Sequence, residues 1–404
     1  MDLLQPVVRP YAWGSRYGIA ALLGRPVPTP GPEAELWMGA HPSAPSGLQR
    51  DGRRTSLEAV IAADPDTELG PDCVARFGTR LSFLLKVLSA DQALSIQVHP
   101  SRSQAEAGFR AENERGLAPG DPARNYVDDW PKPELLCALT PFEALAGLRT
   151  PADAAGILRA LAVDQLQPLA ARLGHGASDL GGVLASVLCW PEAGRNELVG
   201  RVVEACQRLA PADGPYAGAC AAALRVAKEH PGDLGVVALL LMRHTVLEPG
   251  EAVFMPAGGL HAYLRGTGIE LLANSDNVVR AGLTPKHIDV PELLKLVDPS
   301  VSVPVLAPRV APDGIAWFDT PAPEFRLYVL DLAGPALALP GQGPRILLCV
   351  DGACALRSIP GRGASASTLD LARGESCFIP FADGPVHATG HARLVLATPG
   401  PPPV

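Results

Sequence analysis

Between Pro151 and His244 the chain changes grammar, and that change limits the fold more than any single motif. Here Ile157, Leu158 and Leu161, then Val199, Val202, Val203, Cys206 and Leu209, recur at helical intervals in an Ala/Leu-rich background. Such spacing lines one face of a helix, and Ala and Leu are good helix formers. On either side, Pro and Gly cut the text into short apolar runs, such as LSFLLKVL (81–88), ALSIQVHP (93–100) and GIELLANSD (268–276). Short runs bounded by turn residues read as strands. A Pro-rich passage at 297–314 precedes a last strand-rich part, which closes on the tail PGPPPV. The expected organisation is mainly β with an inserted α-helical domain. Residues 1–150 plus 245–315 form one strand-rich unit, 151–244 the helical insert and 316–404 a second strand-rich unit. The insert, with His175, His230 and His244, reads as a packing layer, and the tail as loosely held.

The two strand-rich units share a repeat. Leu247–Pro256 (LEPGEAVFMP) and Leu371–Pro380 (LARGESCFIP) match in register at Leu, Gly, Glu, Phe and Pro. Gly250 and Gly374 would each sit in a tight turn before a strand whose alternate residues point inward.

Composition excludes several classes. A chain of 404 residues, 47% apolar, has material for two or three domains. Its net charge of −8, thinly spread, offers no nucleic-acid or anionic-membrane surface. The start, MDLLQPVVRPYAWG, lacks a secretory signal, and the longest apolar stretch, Val236 to Met242, is far below the roughly 20 residues a membrane helix needs. A cytoplasmic, monomeric protein is expected. The eight Cys are scattered among apolar neighbours without a C-x-x-C pair, so they read as reduced, buried and not metal-ligating.

Chemistry concentrates in three places. In Ser95-Ile96-Gln97-Val98-His99 the polar residues alternate with apolar ones, so a strand would aim Ser95, Gln97 and His99 at one face. That face is half of a metal site or a solvated polar strip. Gly250-x5-Pro256-x-Gly258-x2-His261 matches the second cupin signature, with Arg265 where Asn is usual. Its glycines turn the chain tightly and the next strand delivers His261 to a barrel mouth, where imidazole is a good zinc ligand. Lys132-Pro133-Glu134 sets a candidate carboxylate ligand beside a cation, although a surface turn also fits.

These segments, with YAWGSRYG (11–18), ELWMGAHPSAPS (35–46), PKPELLCALTPFEALAG (131–147) and GIELLANSDNVVRAGLTPKHIDV (268–290), resemble the type I mannose-6-phosphate isomerases. The resemblance implies a catalytic cupin-like part, a helical insert and a C-terminal jelly roll. It also implies one zinc per subunit on Gln97, His99, Glu134 and His261, and a sugar phosphate as the small-molecule partner. Two departures stand out. Pro131 replaces a His that many relatives carry before the K-P-E segment, so a mechanism needing that His does not transfer. In the C-terminal unit, FADGPVHATG displaces the His261 equivalent. His387 and His391 share a strand face there without a Gln or Glu, so that unit reads as metal-free.

The implied reaction moves a hydrogen between C1 and C2 of a sugar phosphate, through a cis-enediol, with zinc polarising the carbonyl. Glu270, Asp276, Lys132 and Lys286 are the titratable candidates for moving the proton. Glu270 is preferred because its segment follows the His261 strand by a short loop; orienting a metal ligand is its alternative role. The resemblance marks Arg280 as catalytic, and its planar charge suits a phosphate. Lys286, Lys86 and Ser95 would complete a phosphate pocket, and Tyr263, two residues beyond His261, would line the sugar site. Trp13 reads as packing, and Glu35 has no derivable role. Two rivals remain: an iron-dependent cupin oxygenase using His99, His261 and Glu134, with oxygen-dependent turnover, and a sugar-binding bicupin that exchanges no C2 hydrogen.

Overall fold

The computed structural model describes residues 1–174, 179–359 and 367–401; His175 and the end of the PGPPPV tail lie outside them. Two antiparallel jelly-roll barrels share one core, and a block of helices packs on the first of them. The first barrel is organised around the strand His261–Ala273, which pairs with Phe83–Ala90, Ile96–Val98, Glu134–Ala138 and Phe142–Leu148. One strand serves four neighbours because it bends at Gly266. Its φ is +130°, and a Cβ there would lie 2.8 Å from both Phe142 Cα and Pro141 O. A glycine inside a strand commonly marks such a corner. The short loop expected between His261 and Glu270 is therefore absent, and both residues belong to this one strand.

The second barrel has the order Asp2–Leu3, Ser376–Ile379, Arg345–Ser358, Val386–Thr398, Arg326–Ala338, Ala316–Trp317, Arg309–Val310. The first residues of the chain thus pair with the C-terminal sheet, while Val305–Leu306 closes the first. The glycines of the repeat adopt left-handed backbone, φ +93° at Gly250 and +85° at Gly374, the conformation that favours glycine.

The helical block opens at Thr150, whose hydroxyl caps Asp153 N, with Pro151 at the first helical position. Ile157, Leu158, Leu161, Val202 and Cys206 are fully buried there, in one core with Ile96, Val98 and Val279 of the first barrel. Burying a Leu or Ile contributes roughly 1.5–3 kcal/mol. The apolar face of the Ile96–Val98 strand is thereby committed to the helices, which fixes the opposite face toward the barrel interior. Helices Leu57–Ala63, Pro65–Leu69, Pro71–Phe77 and Arg102–Glu114 also occur in the part read as strands. All eight cysteines are free and seven are buried; Cys189 alone is exposed. No helix among the described residues is long and apolar enough to cross a membrane.

Candidate active site

Three backbone features aim three ligands at one point. His99 Nδ1 faces Asn277 O at 2.7 Å, and His261 Nδ1 faces Gly259 O at 2.9 Å. A carbonyl only accepts, so each Nδ1 carries the proton and each Nε2 presents a lone pair. Glu134, first residue of its strand, lies with Oε1 3.2 Å from His99 Nε2 and Oε2 3.3 Å from His261 Nε2. Gln97 is the backbone partner of His261, with its amide 3.4 Å from His261 Nε2. Gly258, at φ +79°, donates to His99 O at 3.0 Å and packs against Asp298, so the signature glycine fixes the backbone of the other histidine.

These residues fit a metal ion. Ligand atoms of His99, Glu134 and His261 all lie within 4.8 Å of one another and are buried. His99 Nε2 and Glu134 Oε2 have no hydrogen-bond partner among the described residues, and buried polar atoms seldom stay unpaired. Burial, despite Glu134, lowers the His99 pKa to about 4, so the imidazole is neutral as a ligand must be. Burial opposes the Glu134 charge as well. The facing imidazoles and the Lys132 ammonium at 3.2 Å outweigh it and hold the carboxyl well below its usual range.

Above this cluster opens a cavity of about 580 Å³. Its walls include Ser95, Gln97, Lys86, Lys132, Glu134, Glu270, Asp276, Arg280 and Lys286. Lys86 is not a surface residue. It is buried with Nζ 3.2 Å from Glu270 Oε2, 3.7 Å from Glu35 Oε1 and 4.7 Å from the Trp37 ring centre. Burial works against its charge, yet the Glu35 and Glu270 carboxylates raise its pKa overall. Burial pushes Glu270 up to about 7, against Lys86 and with help from Glu134 and Glu35. Partial burial also opposes the charge of Asp276, but the His41 hydrogen bond more than offsets it and holds Asp276 down to about 2. Burial lowers the pKa of Arg280 and Lys286, and Arg280 depresses Lys286 further. Neither forms an ion pair among the described residues. A cavity of about 650 Å³ beside Glu143 and Arg225 is no rival, because those two groups already pair with each other.

Tyr263 shares the face of His261 but does not reach this cavity. Its ring, 1% exposed, packs edge-on against Phe142 at 5.5 Å inside the barrel. Pro131 is buried away from the cavity, and Trp130 beside it is stacked by Arg80 at 4.0 Å. Four contributors escaped the sequence reading. Fully buried Asn277 accepts from Val127 N at 2.7 Å, donates to Asp128 O and Trp130 O at 2.8 Å each, and so anchors the carbonyl that orients His99. Glu35 holds Lys86. His41 accepts from Ser43 N and faces Asp276 with Nε2 at 3.3 Å. His230, from the helical insert, lines the cavity rim. Of these, only Asn277 carried a local signal, the turn-forming run Ser275-Asp276-Asn277.

The geometry has close counterparts. Residues 1–151 match the family model described as "Phosphomannose isomerase type I, catalytic domain". Mannose-6-phosphate isomerase of Escherichia coli K12 is 38% identical over 98% of both chains, and that of Rattus norvegicus is 33% identical over 93% of this chain and 92% of its own. A crystal structure of a zinc-bound mannose 6-phosphate isomerase superposes with TM-score 0.88 at 35% identity, covering 99% of each chain. Another, bound with zinc and yttrium, gives 0.87 at 36%, covering 99% of this chain and 100% of that one. The chain, with its cupin fold, belongs to the type I phosphomannose isomerase family.

Proposed function

We propose that this protein interconverts mannose 6-phosphate and fructose 6-phosphate, with one zinc held by Gln97, His99, Glu134 and His261. The observation that carries this reading is the cavity itself. Gln97 and Glu134 line it, Glu134 forms one buried cluster with His99 and His261 in which lone pairs are orphaned, and Arg280 and Lys286 on its wall form no ion pair among the described residues. The zinc-bound relatives favour zinc over other divalent ions at such a site. A metal bound there supplies Lewis-acid polarisation of the sugar carbonyl.

The chain's own residues handle the rest. Arg280 and Lys286 offer the phosphate a planar fork and a point charge, and Ser95 lies on the same cavity wall. Glu270 is the base. With its pKa at about 7 it is partly ionised at neutral pH, yet basic enough to take the C2 proton and return it at C1 of the enediol. Lys86, on Glu270 Oε2, fixes which oxygen faces the substrate. Lys132 faces the cavity beside Glu134 and is placed to move a proton between the sugar oxygens. Asp276 stays ionised at the rim, and its negative charge favours the charged form of Arg280.

Purified protein incubated with mannose 6-phosphate should yield fructose 6-phosphate. Activity should vanish with a chelator and return on adding zinc. Zinc-loaded protein that turns over no substrate would remove the reading.

A further inference from the structure

The helical insert reads in the sequence as packing, but its closing turn reaches the cavity. Helix Ala217–Glu229 ends beside two segments of the first barrel. Glu229 Oε2 accepts from Ala93 N at 2.9 Å. Asp233 accepts from Leu283 N at 3.0 Å through one oxygen and from Gly235 N at 2.7 Å through the other. His230, between them, lines the cavity together with Leu283 and Lys286.

The two gripped backbone groups flank one end of a single ladder. Ile96 pairs with Gly282 and Gln97 with Arg280, so Ala93 leads into this ladder and Leu283 leads out. Leu283 has φ +58°, a left-handed conformation that costs an ordinary L-residue energy. It is retained because the surroundings hold it. Its N–H is bonded to Asp233, its side chain is 2% exposed, and a Cβ on Gly235 would lie 2.8 Å from Leu283 Cδ2. Gly282 is equally tight, since a Cβ there would approach Asp233 Oδ1 to 3.0 Å. The loop that follows carries Lys286, beside the like-charged Arg280, and mutual repulsion opposes their staying together.

We propose that this turn of the insert positions the phosphate end of the site: Asp233 holds the Arg280–Lys286 loop and Glu229 holds the Ala93–Gln97 segment. The proposal rests on reading Arg280 and Lys286 as the phosphate contacts, and one set of variants separates the two ideas. In Asp233→Asn only one of the two N–H groups keeps a carbonyl acceptor. Both the KM for mannose 6-phosphate and the competitive inhibition constant of inorganic phosphate should then rise about tenfold, the effect of one unpaired buried N–H. The kcat should stay within about threefold and the zinc content should not change. Glu229→Ala should move both constants in the same direction, which keeps the test open if Asp233→Asn folds poorly. Lys286→Ala, measured alongside, tests the phosphate reading itself. If Lys286→Ala weakens phosphate inhibition while neither insert variant does, the positioning role is overturned and the phosphate reading stands. Loss of zinc or of kcat in Asp233→Asn, with the phosphate constant unchanged, also overturns it. If Lys286→Ala leaves phosphate inhibition unchanged, the phosphate reading falls and takes this inference with it.

Discussion

In the first barrel Ala138 O accepts from Gly250 N at 2.8 Å and Ala138 N donates to Glu251 O at 2.9 Å; in the second, Cys349 makes the same two bonds with Gly374 and Glu375 at the same distances. The Glu251 carboxylate accepts from Glu248 N, and that of Glu375 from Ala372 N, each at 2.8 Å. Phe254 pairs with Leu135 as Phe378 pairs with Ile346. One step along these ladders the contents diverge. Met255 faces Glu134, whereas Ile379 faces Arg345. Following the long strands from Leu271 and Ala397, Glu270 corresponds to Leu396 and its partner Lys86 to Tyr328. The same count brings His261 onto His387, opposite Gln97 in one barrel and Ala338 in the other. The displacement expected from the spacing after Pro380 is thus absorbed before the strand, and a histidine does stand in the matching place. It stands alone. Its carboxylate partner has become a buried guanidinium that donates to Gly384 O, and a fixed cation there opposes binding of another. The turns, glycines and alternation that make a jelly roll are shared, while the chemistry depends on a few inward side chains.

Glu270 offers the largest way to sharpen this contrast. Glu270→Gln should lower kcat by about 10²–10⁴-fold, the usual contribution of a positioned base. In the parent, kcat/KM should fall as pH drops below about 7, because the raised pKa means that the base is protonated there. The variant should lose that limb in a pH–rate profile. Asn277→Ala loosens the carbonyl that orients His99, and it should weaken zinc by roughly 10–100-fold in a chelator competition. The smallest effect belongs to the second barrel. Arg345→Met leaves Gly384 O without its donor and should lower stability by about 1–2 kcal/mol in denaturant unfolding. Zinc content and kcat should not move, and a change in either would break the division between the barrels.

Much of this was legible along the chain. Alternation across 95–99 puts Gln97 and His99 on one face, and the spacing Gly250…His261 brings His261 onto a strand, because strand period and turn glycines are local properties. That this face meets a metal and not solvent came only with the family resemblance. What escaped depends on distance or on competing signals. Gly266 and Gly268 look like a loop between His261 and Glu270, yet they are the corner of one continuous strand. The helix Arg102–Glu114 announces itself by the capping box of Ser101 and Gln104, which the surrounding Pro/Gly punctuation obscures. Asp233 and Glu229 act on backbone groups 50 and 136 residues away, and no local pattern records such a contact. The correspondence of Arg345 with Glu134 exists only in the ladder register.

The central claim is that metal and chemistry reside in the first barrel alone, and paired histidine variants test it most directly. Zinc content and turnover of mannose 6-phosphate would be measured side by side on His261→Ala and His387→Ala. The account predicts that His261→Ala loses both, while His387→Ala keeps one zinc per chain and the parent's kcat. Zinc and turnover retained in His261→Ala, or lost in His387→Ala, would contradict it.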